Sequence, residues 1–313
     1  VANENQHTDR PIDRRRVLGG AAVAAAAAAT GFGLAGSAAA AEAGTSAGSP
    51  GGARRFEGKS VLVTGGTSGI GRACAAAFAA EGARVVFCGR RADRGREVER
   101  EIREAGGDAT FHRADVRRDK EVKALVDRTV RLHGGVDVAL NNAGVQKPFT
   151  DVHEVSVADW DDVSATNVRG VFLGMKYQIP HMRRAGGGVI LVTSSSNEFA
   201  SRTGLGSYTS SKGALRGLVQ AAALENGEHN IRVTALGPGM TDTEMLDAHR
   251  PDGVTDEQWA ALKAQFAEAG VPAFRRIARP EEMASAALAL ASDAFSFQTG
   301  TTVVVDGGQL AAL

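Results

Sequence analysis

Cysteine, aromatic residues and net charge are what this chain has least of. Its 313 residues include two cysteines, Cys74 and Cys88, too few for a disulfide framework, and both read as small buried hydrophobes. Aromatic residues make up 5% of the chain, which argues against stacking platforms for bases or sugars. Lysine plus arginine and aspartate plus glutamate number 36 each and cancel to a formal net charge of zero. No basic surplus therefore points to a nucleic-acid partner. The seven histidines are scattered, with neither H-E-x-x-H nor C-x-x-C spacing to hold a metal. What is present, 43% hydrophobic and 23% charged residues, is ordinary for a globular protein.

Residues 1–43 differ from the rest. Arg10, Arg14, Arg15 and Arg16 precede Val17 to Ala41, a stretch without charge built mostly of Ala and Gly. Small residues then offer A-x-A cleavage sites such as Ala39-Ala40-Ala41. A charged start, an apolar middle and a small-residue end are the layout of a bacterial signal peptide, and "RRRVL" resembles a twin-arginine signal. The expectation is a cleaved signal over residues 1–43 and a protein exported by the twin-arginine machinery to the periplasm or beyond. A retained membrane anchor and a cytoplasmic tail are the alternatives. Residues 44–55, "GTSAGSPGGARR", read as a Gly/Ser/Pro linker.

From Phe56 on, short apolar runs alternate with helical patterns. "SVLVTG", "RVVFCG", "DATFHRADV", "VDVALNNAG", "GGVILVTSSS", "NIRVTALGPG" and "TGTTVVVDGG" read as strands. Buried β-branched runs alternating with helices mean a parallel sheet covered on both faces. The fold class is therefore α/β: one doubly wound, Rossmann-type domain over residues 56–313 with about seven strands.

The first strand runs into "TGGTSGIG", Thr64 to Gly71. Gly65 permits the tight turn, Gly69 lets the backbone approach a pyrophosphate, and Gly71 lets the following helix pack on the sheet. Free N–H groups and the dipole at the helix N-terminus then face the phosphates. Gly65, Thr67, Ser68, Gly69, Ile70 and Gly71 are the candidate cradle. "YTSSK" places Tyr208 and Lys212 four residues apart, on one face of a helix. A free tyrosine, with a pKa of about 10, holds its proton too tightly to serve as a base at neutral pH, and a neighbouring ammonium lowers that value.

These motifs resemble those of the short-chain dehydrogenase/reductase family. "TGGTSGIG" is similar to its T-G-x-x-x-G-I-G, "NNAG" at 141–144 to its fourth-strand signature, and "YTSSK" to its Y-x-x-x-K. "GPGMTDT" at 237–243 is similar to its P-G loop and "VDGG" at 305–308 to its last strand. The likeness runs from Phe56 to Gly308 in the family's order. It implies hydride transfer between a nicotinamide and a carbonyl carbon. Tyr208 would give or take the hydroxyl proton, and Ser195 would hydrogen-bond the substrate oxygen, with Ser194 and Ser196 one residue away on either side. Lys212 would tune Tyr208 and contact the nicotinamide ribose, and Asn167 would help hold a water linking Lys212 to solvent. Asp115 and Val116 resemble the adenine-contacting pair. Asn142, Ala143 and Gly144 would line the adenosine side, and Thr241 and Thr243, after Pro238 and Gly239, would reach the carboxamide. The family's habit of forming dimers or tetramers through its two long helices carries over as an expectation.

Where the second strand ends, a carboxylate suits the ribose of NAD and an arginine suits the 2′-phosphate of NADP. The chain reads "FCGRR" there, with Gly89 at the acidic position and Arg90 after it. NADP(H) is the expected cofactor and NAD(H) the alternative. Residues 240–276 form a long segment without a strand, which reads as a lid. Met240, Met245, Leu246, Trp259, Phe266, Val271 and Phe274 would supply either an apolar ceiling or one face of an amphipathic helix. The expected activity interconverts a secondary alcohol with a ketone or aldehyde, a small-molecule substrate. A 3-oxoacyl-thioester reductase, a sugar 1-dehydrogenase and a non-catalytic dinucleotide sensor are the competing readings.

Overall fold

The apolar runs become strands because each alternates its side chains between two buried faces. In the computed structural model, which describes residues 54–312, they form a seven-stranded, all-parallel sheet. The strands are β1 (Ser60–Val63), β2 (Arg84–Gly89), β3 (Asp108–Arg113), β4 (Val138–Asn141), β5 (Gly188–Thr193), β6 (Ile231–Pro238) and β7 (Thr302–Val305), in the spatial order β3-β2-β1-β4-β5-β6-β7. The expected signal over residues 1–43 and nearly all of the linker lie outside the described residues. Among those described, no helix is long and apolar enough to cross a membrane.

The principal helices are α1 (Gly69–Ala80), α2 (Ala92–Glu104), α3 (Asp119–His133), α4 (Val157–Ser164), α5 (Gly170–Ala185), α6 (Gly206–Asn226), α7 (Glu244–Asp247), α8 (Asp256–Gly270) and α9 (Pro280–Ala291). Val61, Val63, Val85 and Phe87 point to one face and pack with Phe78 of α1, Ile102 of α2 and Met283 of α9. Leu62, Val86 and Val192 point to the other and pack with Leu125 of α3, Met182 of α5 and Val219 of α6. Cys74 belongs to the first cluster and Cys88 to the second, both fully buried and unpaired.

Strand order reverses between β1 and β4, and a crevice opens there at the carboxyl ends of the strands. Two boundaries differ from the sequence reading. β3 ends at Arg113 because its neighbour β2 ends at the paired residue Gly89, so Asp115 and Val116 lie in the loop beyond. β5 ends at Thr193, paired with Leu236, which leaves Ser195 past the strand, at the start of a 3-10 turn over Ser196–Glu198. The 240–276 segment is not a bare loop: it holds α7 and α8, the latter started by a Thr255/Gln258 capping box.

Candidate active site

The crevice is a cavity of about 740 Å³, within the size range of small-molecule sites. One end is the glycine-rich turn. Gly65 has φ +69° and Gly69 φ +49°, values that disfavour any residue with a Cβ. Ser68 is extended and caps α1 with no side-chain hydrogen bond, and no acid lies in the first turn of α1. The helix therefore offers an anion its free N–H groups and unopposed dipole. Gly65, Thr67, Ser68, Gly69 and Ile70 line the wall. Gly71 does not: a Cβ there would sit 2.3 Å from the Gly65 carbonyl oxygen and 2.4 Å from Asn142 Nδ2. Its place is the contact between α1 and the strand ends.

The adjoining wall is tied together by side chains. Thr64 Oγ1 accepts from the backbone N–H of Asn142 at 3.0 Å and of Ala143 at 3.1 Å. Asn142 Nδ2 donates to the Thr64 carbonyl at 3.1 Å, and Thr193 Oγ1 donates to Asn142 Oδ1 at 3.1 Å. The ends of β1, β4 and β5 are thus held in register beside Gly144. Asn142, Ala143, Gly144, Asp115 and Val116 all line the cavity. Asp115 accepts both Nε and Nη2 of Arg117, and the guanidinium holds its carboxyl below the ordinary carboxylate range.

Farther along the cavity, Tyr208 and Lys212 sit on the buried face of α6. Lys212 Nζ lies 5.6 Å from the centre of the Tyr208 ring and donates to the Thr193 carbonyl at 2.7 Å. Burial pulls the Lys212 ammonium down to about 8. Burial also raises the Tyr208 phenol above its ordinary value, with Ser195 acting in the lowering direction. Ser195 Oγ accepts from the backbone N–H of Asn197 at 3.1 Å and lines the cavity with Tyr208. Ser194 Oγ instead donates to Glu198 Oε2 at 2.7 Å. Asn167 does not line the cavity. It lies fully buried in a single π turn over Ala165–Arg169. Its Oδ1 accepts from Val145 N, and its Nδ2 donates to Val145 O and Ser211 Oγ. Its carboxamide pins the loop after β4 against α6, the helix that carries Tyr208.

Glu198 gave no signal in the sequence. Its side chain is fully buried and accepts from Ser194, Thr302 of β7 and Arg216 of α6, so it joins the serine loop to two other elements. Glu198→Gln should lower unfolding stability by about 2 kcal/mol in urea titration, because buried donors would face an amide instead of a carboxylate. An unchanged midpoint would show that these bonds hold nothing.

The far end is mostly apolar. Of the seven residues expected over it, Met240, Met245, Leu246 and Phe266 line the cavity. Trp259 is buried on the body with Nε1 donating to Asp247 Oδ1, Val271 is buried off the cavity wall, and Phe274 is two-thirds exposed. Polar groups interrupt this end: Arg202, a Gln146–His249 pair 2.8 Å apart, and Gln309, whose buried Oε1 has no partner among the described residues. Burial holds His249 below its ordinary pKa. Pro238, at the end of β6, and Gly239, Thr241 and Thr243 beyond it line the cavity, as does Arg90 just past the end of β2. Among the described residues, no cluster of metal-ligating side chains occurs.

The family model described as enoyl-(acyl carrier protein) reductase matches residues 65–309. Cis-4-hydroxycyclohexanecarboxylate dehydrogenase of Sinomonas cyclohexanicum is 37% identical over 256 residues, 82% of this chain and 98% of that protein. The crystal structure of a short-chain type dehydrogenase/reductase from Mycobacterium marinum superposes with a TM-score of 0.75 at 33% identity, covering 82% of this chain and 97% of that one. A 7α-hydroxysteroid dehydrogenase, solved with NADH and 7-oxo glycochenodeoxycholic acid, gives 0.73 at 34% identity over 82% of this chain and 96% of that one.

Proposed function

This chain belongs to the short-chain dehydrogenase/reductase family of oxidoreductases acting on CH–OH groups, and from that premise we propose that it uses NADP(H) to interconvert a secondary alcohol, carried on an apolar and cyclic body, with its ketone. The carrying observation is the grouping of Ser195, Tyr208 and Lys212 at the meeting of a phosphate cradle and an apolar chamber in one cavity. The nicotinamide, when bound, supplies or accepts the hydride.

In reduction, the substrate carbonyl oxygen is placed between Ser195 Oγ and the Tyr208 hydroxyl. Tyr208, raised by burial, is a neutral phenol at physiological pH and donates the proton as charge develops on that oxygen. Lys212 lowers the cost of the phenolate left behind. Asn167 positions α6 through Val145 and Ser211. The apolar wall of Met240, Met245, Leu246 and Phe266 excludes water from the reacting carbon. A cyclic alcohol is supported by the apolar lining of this end and by the relatives named for hydroxycyclohexanecarboxylate and steroid substrates. Reduced-cofactor absorbance with a panel of cyclic alcohols, sugars and 3-oxoacyl thioesters tests the substrate class. Faster turnover of a sugar or thioester would replace this reading.

The NADP(H) assignment is supported by Gly89, which leaves no acid at the end of β2, and by the exposed Arg90 beside it. Arg90→Ala should weaken NADPH binding by about tenfold, the loss of one charge-assisted contact, and leave NADH nearly unchanged. Fluorescence titration of both cofactors measures this. An equal loss for both would remove Arg90 from phosphate recognition. Export through residues 1–43 and assembly through α5 and α6, where Phe172 and Leu224 stand exposed, complete the proposal.

A further inference from the structure

Two distant parts of the chain meet through charge at the mouth of the cavity. Arg91 Nη1 donates to Glu244 Oε2 at 2.9 Å, and its Nη2 donates to Ser68 Oγ at 3.0 Å. Arg94 Nη1 donates to the other carboxylate oxygen of Glu244. Arg91 caps the N-terminus of α2 and Arg94 lies in its first turn, while Glu244 opens α7. Ser68, Arg90, Arg91 and Glu244 all line the cavity, beside the strand end that receives the adenosine ribose in this class of fold. Of the neighbouring charges, Asp93 is turned to Arg96, and Asp115 is engaged by Arg117 and feels the charge of Arg90. Two guanidinium groups each donate to one carboxylate oxygen of Glu244, and Arg91 is steadied by the Ser68 hydroxyl; together they make an anion seat whose donors suit a phosphate equally well.

We propose that Glu244 is a specificity-determining residue for the cofactor, its carboxylate occupying the seat of the 2′-phosphate and withdrawing when NADP(H) binds. This rests on the NADP(H) reading above. A phosphate monoester carries about −1.5 to −2 charges at neutral pH and three acceptor oxygens, so it displaces a single carboxylate from two arginines. NAD(H) brings only a hydroxyl and leaves the ion pairs in place. A tethered competitor lowers apparent affinity in proportion to the fraction of time it fills the seat. Met245 and Leu246 follow Glu244 directly and line the apolar end, so its withdrawal also acts on the substrate wall.

Titration of wild type, Glu244→Gln and Glu244→Ala with NADPH and with NADH, read by nicotinamide fluorescence, tests this without turnover. The expected result is NADPH binding about three- to tenfold tighter in both variants, the worth of releasing partly exposed ion pairs, with NADH moving less than twofold. In an Arg91→Gln/Arg94→Gln background the gain on changing Glu244 should vanish. NADPH affinity that is unchanged or weaker in both variants overturns the proposal, as does a gain that persists without the two arginines. The NADP(H) reading fails separately, when the wild type binds NADH as tightly as NADPH.

Discussion

Tyr208→Phe should cut turnover by roughly a thousandfold, the contribution of a positioned proton donor, while cofactor affinity stays within about twofold. The change deletes one oxygen from a ring that is already buried on α6, so the packing is preserved and the fold should be too. Tyr208 and Ser195 line the same cavity, and phenylalanine leaves Ser195 Oγ as the only hydroxyl of that pair to meet the reacting oxygen. A group that acts only in the transition state lowers kcat and kcat/KM together. Steady-state kinetics beside a fluorescence titration of NADPH reads both quantities. Surviving turnover would place the proton transfer elsewhere, and an equal loss of cofactor affinity would make Tyr208 a binding group instead. A dinucleotide sensor has no need of that oxygen, so the same variant separates the enzyme from its non-catalytic alternative.

Lys212→Met should abolish at least about 99% of turnover and yet leave the cofactor-free protein as stable as the wild type or more so. The ammonium is buried at 3% exposure with one hydrogen bond, to the Thr193 carbonyl. A value near 8, against about 10.4 for a free lysine, corresponds to roughly 3 kcal/mol of unfavourable burial at neutral pH. Methionine fills similar volume without the charge, and the unpaired Thr193 carbonyl returns about 1–3 kcal/mol of that gain. The pH dependence carries the same signature. Between about 8 and the unfolded value, the unfolded chain holds more protons than the folded one. Stability from this group therefore rises with pH across that window. The slope should disappear in Lys212→Met. Thermal melts of both proteins from neutral pH to about pH 10 test it, and a large drop in the melting temperature would show that the ammonium is a structural tie.

The sheet, its seven strands and most of the cavity wall were legible because they depend on local pattern. Gly65, Gly69, Tyr208 and Lys212 announce themselves by spacing along one strand-to-helix turn and one helix face. Long-range partners were not legible. Glu198 looks like any surface glutamate in "SSSNEF", and only the fold brings Arg216 and Thr302 to it. Glu244 stands 153 residues from Arg91, and no periodicity connects them. The apolar residues of 240–276 divided for a similar reason. α8 turns Phe266 to the cavity and Trp259 to the body, and helical phase cannot be read before the start of the helix is known. Gly71 and Asn167, expected at the cofactor and the catalytic group, stand behind the wall and hold the elements that form it.

The two thiols bear on where such a domain can work. Cys74 and Cys88 lie on opposite faces of the sheet, and burial pushes each up to about 12. No thiolate is present at neutral pH, the sheet separates one sulfur from the other, and neither meets solvent. The folded domain is therefore indifferent to the redox poise of its surroundings: an oxidising compartment finds nothing to crosslink, and a reducing one finds no bond to break.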